Sequence, residues 1–211
     1  MKRKIGKLCV ITDTVVQKKY SHVEIAQLAI KGGADVIQFR DKSMATGELI
    51  ETAGKLKKIC SKAGVLFIVN DRVDVALVSD ADGVHLGIED IPLKDARKLL
   101  GKDKIIGGTA HSLKEAEEAC KNGADYIGFG HIYPTLSKHK LTPPVGIYEL
   151  EKIVKKIRIP VLAIGGIGFD NISEVVKTGV HGAAVISSVL KNKNPENAVK
   201  ELKRIIYAQK I

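Results

Sequence analysis

The chain has 211 residues, enough for one large α/β domain with a substantial core, and no stretch reads as a linker that would divide it. With 45% hydrophobic and 27% charged residues, and no apolar run near the roughly 18 residues that span a bilayer, it reads as globular rather than membrane-embedded. The net charge of +10 raises nucleic acid as a partner, but the basic residues are spread over helical stretches such as KLKKICSK and KELKRIIYAQK, and 4% aromatics cannot furnish a stacking platform.

The basic opening MKRKIGKLCVITD passes quickly into a strand pattern, with no long apolar region and no cleavage site, so the expectation is a cytoplasmic protein without a leader. Cys9, Cys60 and Cys120 are too few and too widely spaced for a disulfide framework or a zinc site, and are expected to be reduced packing residues.

Strand and helix patterns then alternate eight times, at about 26 residues per unit, which is the count and spacing of a TIM (βα)8 barrel spanning residues 1–211 as a single domain. The predicted strands are Leu8 to Thr12, Asp35 to Arg40, Leu66 to Asn70, Gly83 to Gly87, Ile105 to Thr109, Tyr126 to Gly130, Val161 to Gly165 and Ala183 to Ser187. Helical patterns lie between them, for example Ser43 to Ala63 and Ser112 to Lys121. A weak echo punctuates the units: Gly33-Ala34-Asp35, Ala81-Asp82-Gly83, Gly123-Ala124-Asp125 and Gly179-Val180-His181 each precede or open a strand. The competing architecture, an open dinucleotide-binding sheet, needs a glycine loop after the first strand. Here Ile11-Thr12-Asp13-Thr14 has none, and the late stretch Gly165-Gly166-Ile167-Gly168 has Asn171 where the fingerprint requires its last glycine.

Parallel winding gathers all strand C-termini at one mouth, and the chemistry of the sequence concentrates there. Asp71 and Asp90 each follow a strand, so two carboxylates separated in sequence can converge; hard oxygen donors of this kind suit Mg²⁺, with helix N-capping as the alternative use for either one. In Gln38-Phe39-Arg40-Asp41-Lys42, alternation sends Gln38 and Arg40 to one side and Phe39 outward against helices. An inward arginine asks for an anion: either a phosphate, with Lys42 adding charge, or an internal ion pair with Asp71, Asp74 or Asp41.

The longest irregular stretch, His131 to Val145, is read as a lid over the mouth, with Thr135, Ser137 and Lys138 as phosphate donors. Gly165-Gly166 and Ile186-Ser187-Ser188, after the last two strands, stand where barrels of this kind hold a phosphate on backbone N–H groups, or are tight turns and nothing more. His131 is either a proton shuttle or a polar mouth residue, His85 is expected inside the barrel, and His22 and His139 are expected in solvent. No nucleophile with a base and a third member is visible, which argues against a covalent hydrolase.

The stretches VITD, QFRDK, VNDRVDVAL, GVHLGIEDIP, GGTAHS, GADYIGFGHIYPTLSK, AIGGI and VISS, in that order over nearly the whole chain, resemble the thiamine phosphate synthase family. The resemblance implies a TIM barrel that joins a hydroxymethylpyrimidine diphosphate to a thiazole phosphate with Mg²⁺, releasing pyrophosphate. It implies that Asp71 and Asp90 hold the metal, that Arg40, Lys42, Asn70 and Lys138 grip the diphosphate, and that Gln38 and Thr109 face the pyrimidine. Thr135, Ser137, Gly166, Ile186 and Ser187 would surround the thiazole phosphate. Arg40, Lys42 and Lys138 would be the catalytic charges. Two positions depart from the family's usual pattern, Ile88 where it has Gln and His131 where it has Pro. The second is a feature of the sister thiazole tautomerases, in which a histidine resembling His131 is associated with proton transfer. Three functions therefore enter the structural description: the synthase, a metal-independent tautomerase using His131, and a non-catalytic thiazole phosphate-binding regulator. The expected partners are small molecules, with self-association an open expectation.

Overall fold

Parallel strands covered on both faces are predominantly apolar, and LCVIT, VIQF and LFIVN are buried at every position, their polar members Thr12, Gln38 and Asn70 included. The computed structural model describes residues 4–135 and 143–208. In it, β1 (Leu8–Thr12), β2 (Val36–Phe39), β3 (Leu66–Asn70), β4 (Gly83–Leu86), β5 (Ile105–Ala110), β6 (Tyr126–Gly130), β7 (Val161–Ile164) and β8 (Gly182–Val185) form a closed barrel in sequence order. Every pairing is parallel, and Leu8 opposite Ala183 closes the ring.

Helices α1 (His22–Lys31), α2 (Thr46–Ala63), α3 (Val73–Val78), α4 (Leu93–Leu100), α5 (Leu113–Lys121), α6 (Gly146–Lys156) and α7 (Ile172–Lys177) connect successive strands; a short α8 (Ser187–Leu190) precedes the last helix, α9 (Pro195–Ala208). Their ends follow local rules. Ser21 and Glu24 form a capping box at α1, Ser112 caps α5, and Gly64 ends α2 with a left-handed φ of 70°. Among the described residues no helix is long and apolar enough to cross a membrane.

Two expected boundaries shift by more than one residue. Ser187 opens α8 rather than closing β8, and α2 starts at Thr46 because Asp41 spends its carboxylate on the N–H groups of Ser43 and Met44, holding that stretch in a turn.

The repeated punctuation has a clear use at the barrel's floor. Asp35, Asp82 and Asp125 each accept a hydrogen bond from a backbone N–H of the preceding strand, Leu8, Phe67 and Ile106, at 2.8–2.9 Å. Their own N–H groups donate back to the same three residues. Each carboxylate also meets a helix cation, Lys203, Lys57 or Arg97. One acid per pair of strands thus ties two strands and a helix together. His181, the fourth member of the echo, instead lies 3.1 Å from the carbonyl of Ile5.

Close packing at the same end excludes side chains. A Cβ on Gly182 would lie 1.9 Å from the carbonyl oxygen of Lys7, a backbone atom that cannot step aside. Gly182→Ala is therefore expected to lower stability by about 2–3 kcal/mol, read as a lower urea midpoint at unchanged slope. A midpoint equal to wild type would show that β1 and β8 separate freely.

Candidate active site

The strand C-termini surround a cavity of about 540 Å³, and most of the residues singled out in the sequence meet there. Gln38, Arg40, Asn70, Thr109, His131, Thr135, Gly166, Ile186 and Ser187 all line it. Lys42, Asp71 and Asp90 are not part of the lining; they stand on the segments just beyond Arg40, Asn70 and β4. Ser137, Lys138 and His139 lie outside the described residues.

Arg40 enters from the end of β2, and its partner is Asp13, at the end of β1, not Asp41, Asp71 or Asp74. The reason is register: Thr12 pairs with Phe39, so the next residue on each strand brings the acid beside the guanidinium. Asp13 is held in turn by the N–H groups of Val15 and Val16, at 2.9 and 3.1 Å. The Nε of Arg40 is buried without a hydrogen-bond partner among the described residues. One edge of the fork is thus anchored and donor capacity is left over, as an incoming anion requires. Phe39 points outward as expected and meets the His22 ring edge-on at 4.8 Å.

His22 is buried, not solvated. It bridges Thr12 at 2.7 Å and Asp41 at 3.0 Å. Desolvation opposes the charge on Asp41, but hydrogen bonds from His22, from the N–H groups of Ser43 and Met44 and from the Ser43 hydroxyl outweigh it and hold the carboxyl well below its ordinary range. This network braces the QFRDK segment from beneath. Helical period carried the signal for it, since His22 falls on the same face as Ile25, Ala26 and Ala29.

Asp71 adopts a left-handed φ of 64°, rare for a residue with a side chain, while its N–H donates to the His85 carbonyl at 2.8 Å. Lys42 pairs with its carboxylate. Asp90 accepts from the Gly87 N–H at 2.6 Å. Its pKa is raised by partial burial, by a hydrogen bond with the Asp71 carboxyl and by that group's charge, against the lowering pull of Gly87 and Lys42. Two carboxyl groups pressed together so that one resists ionising are a poor arrangement alone and a good one around a cation. Among the described residues no three or more His, Cys, Asp or Glu side chains stand together so that they could hold a metal ion, so a cation here would take its protein oxygens from this pair and find its other ligands elsewhere. That donor set fits Mg²⁺, which keeps waters and substrate oxygens.

The opposite wall comes from β7 and β8. Gly165 and Gly166 both have positive φ, and a Cβ on Gly166 would meet the Pro134 carbonyl at 2.5 Å. Ile132 and Tyr133 donate to the carbonyls of Ile164 and Gly165, so the start of the loop after β6 lies against this turn and carries Thr135 to the cavity. The Tyr133 hydroxyl reaches Glu174 of α7 at 2.7 Å. Ser188 adds a buried hydroxyl without a hydrogen-bond partner among the described residues. His131 is 6% exposed and lines the cavity, and its carbonyl accepts from Val145 across the base of the loop.

A closed (βα)8 barrel with a buried arginine on one side of its mouth, and a glycine turn with hydroxyl groups on the other, has the kind of donors with which TIM barrels bind phosphate groups. Residues 8–189 match the sequence model of the family described as thiamine monophosphate synthase, and the chain belongs to that family. It is 45% identical over 199 residues to the thiamine-phosphate synthase of Chlorobium phaeobacteroides, covering 94% of this chain and 95% of that one. It is 47% identical over 199 residues to that of Methanocella arvoryzae, covering 94% of each. Among solved structures it resembles the thiamine phosphate pyrophosphorylase of Pyrococcus furiosus, with a TM-score of 0.88, 44% identity and 96% of each chain covered.

Proposed function

We propose that this barrel joins 4-amino-2-methyl-5-hydroxymethylpyrimidine diphosphate to thiazole phosphate, giving thiamine phosphate and pyrophosphate. The observation that carries the reading is the identity of 44–47% to thiamine-phosphate synthases over nearly the full length of both partners. The cavity is chemically suited to it. An electron-rich pyrimidine can release diphosphate to leave a stabilised cation, so the protein's task is to bind the leaving charge and place the thiazole nitrogen nearby. Arg40, anchored by Asp13, and Lys42 hold the diphosphate, with Asn70 beside them. Thr135, Gly166, Ile186 and Ser187 hold the thiazole phosphate across the cavity, and Gln38 and Thr109 face the pyrimidine.

Asp71 and Asp90 would hold Mg²⁺, which would supply positive charge at the departing diphosphate. The mutual repulsion of these two carboxyl groups and the hard oxygen donor set support that assignment. A tautomerase working through His131 has no use for such a pair, and the relatives compared above carry the synthase name.

The test is to incubate protein with both substrates and Mg²⁺, with and without chelator, and to oxidise the product to fluorescent thiochrome. Metal-dependent thiamine phosphate is expected. No product from folded protein would overturn the reading, and thiazole isomers alone would then be the substrates to offer.

A further inference from the structure

Thr109 faces the cavity from the end of a buried chain of polar groups. The Tyr126 hydroxyl lies 3.0 Å from His85 Nδ1, and His85 Nε2 lies 3.0 Å from Thr109 Oγ1. The ring fits because two neighbouring strand positions are glycine. A Cβ on Gly107 would lie 2.2 Å from Tyr126 Cζ and 2.5 Å from His85 Nδ1, and one on Gly128 would lie 2.8 Å from His85 Cε1.

The chain has a direction. Tyr126 is 1% exposed, and among the described residues its hydroxyl hydrogen-bonds only to His85. Burial also raises its pKa well above the ordinary value, so it keeps its proton. A buried O–H without an acceptor is costly, so that proton must point at Nδ1. Nδ1 is then an acceptor, and a neutral imidazole with an accepting Nδ1 carries its hydrogen on Nε2. That N–H donates to Thr109 Oγ1. Having accepted from the protein, the threonine hydroxyl has its own proton left to give, and the open side it faces is the cavity.

We propose that Tyr126 and His85 are positioning residues that make Thr109 a hydrogen-bond donor toward the substrate, so that this subsite takes an unprotonated ring nitrogen of the pyrimidine. The identity of the ligand rests on the synthase reading; the direction of the chain does not. Reversing the chain would leave the Tyr126 O–H with no second acceptor among the described residues.

Two measurements test this separately. In ¹⁵N-histidine-labelled protein without substrate, the His85 signal, assigned by its loss in His85→Gln, is expected to report the Nε2–H tautomer. An Nδ1–H tautomer overturns the chain whatever the enzyme does. In kinetics, Tyr126→Phe and Thr109→Val are each expected to raise KM for the pyrimidine diphosphate about tenfold while leaving KM for thiazole phosphate unchanged, the size of one lost hydrogen bond. Wild type should also bind a pyrimidine diphosphate with the relevant ring nitrogen replaced by C–H about tenfold more weakly, a preference that Thr109→Val should lose. A preference intact in Thr109→Val overturns the donor role. An Nε2–H signal in a protein that binds neither pyrimidine overturns the synthase reading and with it the ligand assigned to the subsite.

Discussion

Asp71→Asn and Asp90→Asn are each expected to lower turnover by about 10²–10³-fold and to raise the Mg²⁺ concentration needed for half-maximal rate, the scale of removing one group that stabilises developing charge. The amide keeps the shape of each side chain and one acceptor oxygen, so the Gly87 N–H that donates to Asp90 retains its partner. Neither variant should unfold. In the metal-free protein Asp90→Asn should melt no lower than wild type, because the change removes a repulsive contact between two carboxyl groups. Loss of turnover with an unchanged melting temperature therefore reports on the site and not on folding. Both variants at full activity, with unchanged Mg²⁺ dependence, would sink the assignment of these two aspartates to the metal.

Arg40→Ala combines a loss of function with a loss of stability, and Arg40→Lys separates them. Asp13 has a side chain only 3% exposed, and removing the guanidinium leaves a buried carboxylate with two backbone N–H groups and no cation. Breaking such a pair from one side costs about 3–5 kcal/mol, measurable as a lower urea midpoint. Turnover should fall about 100-fold as the diphosphate loses a charged donor. Lysine restores the charge beside Asp13 but not the planar fork, so Arg40→Lys should recover most of the stability while KM for the pyrimidine diphosphate stays raised about tenfold. An Arg40→Ala protein as stable as wild type would show that Asp13 is satisfied by its backbone donors alone. An Arg40→Lys protein with wild-type KM would show that charge, not fork geometry, holds the diphosphate.

Much of this site is legible along the chain because of how a parallel barrel is wound. Runs such as LFIV and LCVI are apolar, since both faces are covered, and the polar residues that close or follow each run must stand at one common mouth. That is why Arg40, Asn70 and Thr109 could be placed at one cavity without any contact being known. The partner of Arg40 was not legible in the same way. Asp13, Asp41, Asp71 and Asp74 all stand near strand ends, and only the pairing of Thr12 with Phe39 singles out Asp13. Residue type alone puts a lone histidine such as His22 in solvent, yet it is buried. Its place on the face of Ile25 and Ala29 pointed the other way.

His85 marks the limit of sequence reading more sharply. Its position inside a strand was enough to put it in the barrel, but the slot it occupies is cut by glycines on β5 and β6, and its partners come from those same strands. Residue types and their period determined the eight strand-helix units and the end at which the chemistry lies, while the quoted stretches, in their order, carried the resemblance to the family. Tertiary structure decided which acid anchors the arginine, which histidine is buried and which way a chain of hydrogen bonds points. The first set depends on burial averaged along a segment, which a linear pattern records; the second depends on register and close packing between strands far apart in the chain, where a shift of one residue changes every partner.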